Sequence, residues 1–246
     1  MAPGGRGGAG DGHDGADVFD ARLDTLRDLP PPPPPPLPAD LEEELASLAP
    51  VAPRRPWRQL ALVAAVSIGY AGLIVALISL RKDLPGLPRG WMAAYLAAWL
   101  AGFGAPLALA VVPARGSMMP RTNLAAAVAA VAAIGFVALG LLWAHHGPDS
   151  HVGGLRAAPG CLSIGLVTAL VPVVLGTMLL RGAAPVGSRL TAAALGASAG
   201  SLGGFVLHLH CPIADRLHVG LVHGGVVAIA AVLTAALAAR PLEPRR

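Results

Sequence analysis

Residues 60–80 read LALVAAVSIGYAGLIVALISL and contain no charged side chain. A helix needs about 20 apolar residues to cross the hydrocarbon core of a bilayer, and this run is long enough to do so. Five further runs have the same character and hold no Lys, Arg, Asp or Glu; they lie at residues 91–112, 124–144, 161–180, 190–209 and 220–239. The sequence therefore predicts an all-α fold, a six-helix transmembrane bundle.

The overall composition agrees with a bilayer as the solvent of this domain. Hydrophobic residues make up 54% of the chain and charged residues only 13%, whereas about a quarter of a soluble domain is charged. This excludes a nucleic-acid-binding globule despite the sequence pI of about 9.8. Two cysteines in 246 residues also exclude a disulfide-rich secreted scaffold. We expect contact with lipid and no direct contact with nucleic acid.

The charges divide the chain into a leader (residues 1–56), a membrane domain (57–240) and a short C-terminal tail (241–246). Residues 1–44 hold ten acidic and three basic side chains, while the remainder holds four acidic and fifteen basic ones. The leader contains no apolar stretch that would serve as a secretory signal. Such an acidic segment beside a basic membrane domain is typical of an interaction tail.

Two short helices are predicted in the leader, at about residues 17–28 and 40–48, on either side of seven consecutive prolines at 30–36. Each carries a narrow apolar stripe at helical spacing. Helices of about three turns are marginal in water on their own, so we expect them to fold in the groove of a partner. A leader that stays solvated, or folds back on the membrane domain, is the alternative. The stripes are Phe19, Leu23 and Leu26, and then Leu41, Leu45 and Leu48.

The orientation follows from the basic residues that flank the spans. With the N-terminus inside, ten Arg side chains flank the spans on the cytoplasmic side, and four Arg and one Lys lie outside. Cytoplasmic loops carry the excess of Lys and Arg in membrane proteins. We therefore predict a multi-pass protein of the cytoplasmic membrane with both termini in the cytoplasm.

Under this topology both cysteines and seven of the eight histidines fall on the outer side. Cys161 opens the fourth span, and Cys211 follows the fifth with His210 beside it. Thiolate and imidazole are ligands that zinc and softer metals prefer, and two thiols could instead form a reversible disulfide. We predict Cys161, Cys211 and His210 as a sensor and tentative metal site. A static disulfide, unpaired thiols and ordinary interfacial histidines are the alternatives. The possible accessory ligands are His208, His218 and His223, and the remaining outer histidines are His145, His146 and His151.

Several of these residues belong to an ordered series of short motifs. Cys161-Leu162 and Pro172 are followed by LLRGAAP at 179–185, HCP at 210–212 and HG at 223–224. The pattern resembles the six-span bacterial family typified by the negative regulator of sigma F, whose members are inner-membrane anti-sigma factors. The resemblance implies that the cytoplasmic leader holds an extracytoplasmic-function sigma factor inactive. It also implies that Cys161 and Cys211 sense heavy-metal or oxidative stress and release the sigma factor.

Two other classes of membrane protein compete with this interpretation. A thiol oxidoreductase usually has more than one cysteine pair, and this chain has two isolated cysteines. A metal or small-molecule transporter commonly has ionisable residues at mid-membrane, and the six spans contain no Lys, Arg, Asp or Glu. The sequence therefore favours a regulator without catalytic turnover or a resident cofactor, at most a transient heavy-metal ion.

Overall fold

The computed structural model describes residues 55–112, 121–143, 154–181 and 187–242, together with positions 38, 40, 41 and 43 of the leader. The chain divides into two compact units, Met1–Pro53 and Arg54–Arg246. In the described part of the second unit the regular elements are helices, and no β-strand is present. The predicted all-α class is confirmed.

The described part of the second unit contains six helical spans, each long and apolar enough to cross a membrane, of which the sixth is α6 together with the π-helical turn before it. The first five helices begin two to four residues before the predicted spans, α6 begins four residues after its predicted start, and proline occupies the first turn of α1 and α4. Proline suits that position because its missing N–H would be unpaired there anyway. The helices are α1 (Pro56–Ile78), α2 (Arg89–Val111), α3 (Thr122–Trp143), α4 (Ala158–Leu179), α5 (Ser188–His210) and α6 (Gly224–Leu237).

Four short helical elements complete the described fold. A π-helical turn, His218–His223, leads directly into α6, and a final short helix α7 (Ala239–Leu242) follows it. Turns of 3₁₀ helix, Leu84–Gly86 and Gly154–Ala157, precede α2 and α4. The sixth candidate span comprises the π turn and α6 together, His218–Leu237.

Helix α5 is the centre of the bundle and packs against each of the other five long helices. Its sequence is rich in Gly, Ala and Ser, and 83% of an 18-residue apolar stretch within it is buried. Small residues allow the backbones of neighbouring helices to approach closely. At Gly203 a Cβ atom would collide with the carbonyl oxygen of Gly165 on α4. The composition of α5 therefore explains its central position.

Three glycines spaced four residues apart on α5, Gly196, Gly200 and Gly204, form a stripe that contacts two different helices. Added Cβ atoms at Gly196 and Gly200 would meet the backbone of α6, with Val227 Cα 2.7 Å from the Gly200 position. At Gly204 the neighbour is instead the indole ring of Trp99 on α2. The stripe thus packs against α6 at Gly196 and Gly200 and against an aromatic side chain at Gly204.

Few residues of the leader are described. Asp40, Leu41 and Glu43 are helical, the Leu41 N–H donates to Pro38 O at 3.0 Å, and Leu41 is exposed. These positions fall within the second predicted leader helix. The other stripe residues, Phe19, Leu23, Leu26, Leu45 and Leu48, lie outside the described residues.

Candidate functional site

The two cysteines meet at one end of the bundle. Cys161 lies in the first turn of α4, and Cys211 directly follows the last residue of α5. Because α4 and α5 are packed neighbours joined by a short connection, the chain returns to the end from which α4 started. The two Sγ atoms are 3.6 Å apart, and both thiols are free and buried. The structure thus pairs two residues that are 50 positions apart in sequence.

Two histidines complete this group. His218 and His223 begin and end the π-helical turn, and both are fully buried. His218 Nε2 lies 3.6 Å from Cys211 Sγ, and the two imidazoles meet edge to face with centroids 5.3 Å apart. One ligand atom from each of Cys161, Cys211, His218 and His223 lies within 4.8 Å of the other three. We refer to these four side chains as the Cys/His cluster.

Tight packing against α3 positions the π turn. A Cβ atom at Gly140 of α3 would lie 2.5 Å from Gly220 Cα, and one at Gly224 would lie 2.8 Å from Val137 N. The turn is also anchored at its start, where the His218 N–H donates to Asp215 Oδ1 at 3.0 Å. Glycine is therefore needed on both sides of this contact, and the two imidazoles project on the far side towards α4 and α5.

The surroundings of the cluster are apolar. Leu207, Val222 and Val226 are at most 2% exposed and pack with the two cysteines in one hydrophobic core. Interactions between charged or polar groups are stronger in such a dry environment than in water. The cluster is therefore a polar site enclosed by hydrocarbon.

Cys211 is the cysteine poised to become a thiolate. It lies just beyond the end of the fifth span, and its pKa is lowered by hydrogen bonds from Cys161 and His218, which outweigh the opposing effect of burial. A thiolate is the form that binds metals and attacks disulfides. The pair can therefore act as a chelating or redox-active unit.

The imidazole next to Cys211 in sequence is not part of the cluster. His210 Nδ1 lies 2.9 Å from the carbonyl oxygen of Ser79, which caps the C-terminus of α1, and its ring is partly exposed. The predicted set of Cys161, Cys211 and His210 therefore does not coincide with the group that the structure assembles. Adjacent residues at a helix end point in different directions, about 100° apart in a regular α-helix, so sequence adjacency did not bring His210 into the cluster.

His208 also lies outside the cluster. Its ring stacks on Tyr95 of α2 with centroids 4.6 Å apart and lies 5.1 Å from the ring of Trp91. Neither ring nitrogen has a hydrogen-bond partner among the described residues. Of the predicted accessory ligands, His218 and His223 thus join the cysteines and His208 does not. His145, His146 and His151 lie outside the described residues.

Sequence reasoning missed an ion pair beside this site. Arg81 and Asp83 form a bidentate salt bridge with both N···O distances at 2.6 Å, and both side chains are almost wholly buried. The Arg81 N–H also donates to Leu209 O at 2.9 Å. Together with the contact between His210 and Ser79, this bond ties the end of α1 to the end of α5; we call these two contacts the α1–α5 clasp. An Arg and an Asp two residues apart after an apolar span were the only hint in the sequence.

Comparison with known proteins identifies the family. No curated protein and no solved structure matches the chain. A family model described as negative regulator of sigma F matches residues 45–243. The match includes all six long helices and the Cys/His cluster and covers well over half of the chain. The protein therefore belongs to the negative regulator of sigma F family.

Proposed function

We propose that this protein is an inner-membrane anti-sigma factor that sequesters an extracytoplasmic-function sigma factor through its leader. The family match over residues 45–243 carries the proposal, because it makes the protein a negative regulator with a sigma factor as its partner. Most of the leader precedes the matched region and is acidic, with two apolar stripes. A short amphipathic helix is suited to docking in a groove of a partner.

The proposal includes an orientation for the signal. With both termini in the cytoplasm, the leader faces the sigma factor and the Cys/His cluster lies at the periplasmic end of the bundle. The excess of Lys and Arg on the predicted cytoplasmic side supports this arrangement. An external stress would then act at the end of the molecule opposite to the sigma factor.

Cys161 and Cys211 are the proposed sensor of metal or oxidative stress. Two free thiols 3.6 Å apart can be bridged by one metal ion, or joined by oxidation after a small movement. Either event would draw the first turn of α4 towards the residue that follows α5. The release signal would thus begin as a change in the relative position of two helix ends.

The α1–α5 clasp offers a route for that change to reach the leader. Arg81 N–H and Ser79 O bind Leu209 and His210, the two residues immediately before Cys211. Ser79 caps the end of α1, and Pro56, the last residue of the leader, begins α1 at its other end. A displacement at Cys211 would therefore shift the end of α1, the long helix that comes next after the sigma-binding segment in sequence.

Co-purification tests the proposed partner. Full-length protein, tagged after Arg246 and solubilised in mild detergent from its own cells, is expected to retain a sigma factor that mass spectrometry identifies. A version that lacks residues 1–44 serves as the control and is expected to lose the sigma factor. Retention of the sigma factor by that shortened protein would place the binding surface elsewhere, and its absence from both samples would reject the function.

Reporter fusions test the orientation. A cytoplasmic reporter fused after Arg246 or residue 118 is expected to be active, and so is a periplasmic reporter fused near residue 150. The physical reason is the cost of moving the ten cytoplasmic Arg side chains across the membrane during insertion. A periplasmic C-terminus would contradict the placement of the two cysteines on the outer side.

A further inference from the structure

We propose that Cys161, Cys211, His218 and His223 form a tetrahedral Cys₂His₂ site for a borderline or soft divalent cation of the zinc and cadmium class. The inference rests on the proposed function for its regulatory meaning, since it names the ligand that the sensor reads. Its basis is the geometry of the four side chains. It replaces His210 with two histidines from the π-helical turn.

The distances fit one tetrahedral ion. Zinc bonds of about 2.3 Å to sulfur and 2.0–2.1 Å to nitrogen imply about 3.8 Å between two sulfur ligands and about 3.6 Å between sulfur and nitrogen. Cys161 Sγ and Cys211 Sγ are 3.6 Å apart, and Cys211 Sγ and His218 Nε2 are also 3.6 Å apart. All four ligand atoms lie within 4.8 Å of one another. Small side-chain movements would therefore complete the coordination.

His223 supplies an independent observation that points to a ligand. Its side chain is fully buried, it contributes a nitrogen to the cluster, and neither ring nitrogen makes a hydrogen bond of normal geometry with the described residues. A buried polar group without a partner is costly, by about 1–3 kcal/mol. A metal ion at the centre of the cluster would bind one of these nitrogens and remove the cost at that nitrogen.

The π-helical turn explains how two histidines five residues apart can share one ion. In an α-helix, residues i and i+5 lie about 140° apart around the axis. In a π-helix the wider turn, with hydrogen bonds between residues five apart, brings residue i+5 closer to the face of residue i. The Gly224 N–H donates to Val219 O with this separation. The π-helical turn therefore directs His218 and His223 towards the same pair of cysteines.

Charge balance limits the class of ion. A divalent cation that displaces one proton from each thiol forms a neutral unit with two thiolates and two neutral imidazoles, and both protons leave to solvent. Neutrality matters because all four residues are buried among apolar side chains. The set contains no carboxylate, and magnesium and calcium prefer oxygen ligands. The nearby Arg81 and Asp83 already neutralise each other.

Metal titration of the full-length protein in detergent, under reducing conditions, tests the site. Cd²⁺ alone is expected to produce a thiolate-to-metal charge-transfer absorption that saturates at one ion per chain and is displaced by Zn²⁺ but not by Mg²⁺. His223→Gln and His218→Gln are expected to weaken Cd²⁺ binding at least about tenfold, because the loss of an outer-shell partner alone costs about ten- to a hundredfold. His210→Gln is the matched control and should bind Cd²⁺ like the wild type.

A second measurement needs no variant and so does not depend on the folding of a mutant. Zn²⁺ is expected to protect both Cys161 and Cys211 of the wild type from alkylation, as read by mass spectrometry. Absence of Cd²⁺ absorption and of protection would overturn the proposal. Equal losses in His210→Gln and His223→Gln would overturn the ligand set.

Sigma-factor capture is measured on the same preparation, so the two proposals fail separately. A protein that captures the sigma factor and binds no metal would overturn the metal site and leave the proposed function standing. A protein that binds one Cd²⁺ per chain through these four residues and captures no sigma factor would support the site and contradict the function.

Discussion

Replacing Leu23 and Leu26 together by Asp is expected to free the sigma factor while the six-helix bundle stays in the membrane. Burial of a leucine side chain contributes about 1.5–3 kcal/mol, so the loss of two removes at least about 3 kcal/mol of binding. That corresponds to a loss of affinity of about a hundredfold or more. A sigma-dependent reporter in unstressed cells should rise to the level seen without the anti-sigma factor, and membrane fractionation should show an unchanged amount of the protein.

The control for this experiment carries the same added charge on the other side of the same predicted helix. In a regular helix Ala21 and Thr25 would lie opposite the stripe of Phe19, Leu23 and Leu26, so Ala21→Asp with Thr25→Asp should leave repression intact. The pair Leu41→Asp and Leu45→Asp shows whether the second leader helix also contacts the sigma factor. Normal repression by the Leu23 and Leu26 double variant would reject the first helix as a docking element.

The fold could be predicted from the sequence because the bilayer imposes a simple rule. A helix satisfies its own backbone hydrogen bonds in lipid, so a charge-free apolar run of about 20 residues such as 60–80 has one stable outcome. The predicted starts of the first five helices were two to four residues late because a first turn can hold residues such as Pro56 and Arg89, which hydropathy does not count. The central position of α5 follows less directly, although its Gly and Ser content indicated close packing.

The candidate site was predictable only in part. Cys161 lies at the start of the fourth span and Cys211 at the end of the fifth, so two successive crossings bring them to the same end of the bundle. The structure pairs them there. Which histidines lie beside the cysteines could not be predicted in this way. That depends on the π-helical turn, which no periodic pattern in the sequence predicts. His210 was favoured as the neighbour of Cys211, yet it bonds Ser79, while His223, twelve residues beyond Cys211, reaches the thiols. Arg81 was used only as one of the basic residues that set the orientation, although its ion-pair partner Asp83 lies two residues away.

Replacing either Cys161 or Cys211 by Ser is expected to abolish stress-induced release of the sigma factor. One metal ion, or one disulfide, needs both sulfur atoms, and the two are only 3.6 Å apart. The unstressed complex should still form, because the leader is intact in each variant. The measurement is a sigma-dependent reporter in cells exposed to cadmium, chromate or peroxide, where each variant should stay at its unstressed level.

The double variant distinguishes one shared switch from two separate sensors. If both thiols act on the same ion or bond, their effects are not additive, and Cys161→Ser with Cys211→Ser should behave like either single variant. Ser163→Ala is the matched control, since Ser163 lies near Cys161 on α4 but donates to Pro159 O of its own helix. A coupling of about 3 kcal/mol between the cluster and the leader is enough for a hundredfold change in sigma-factor affinity. A double variant that still responds fully to all three stresses would move the sensor away from the thiols, and the histidines of the outer side would then be the next residues to replace.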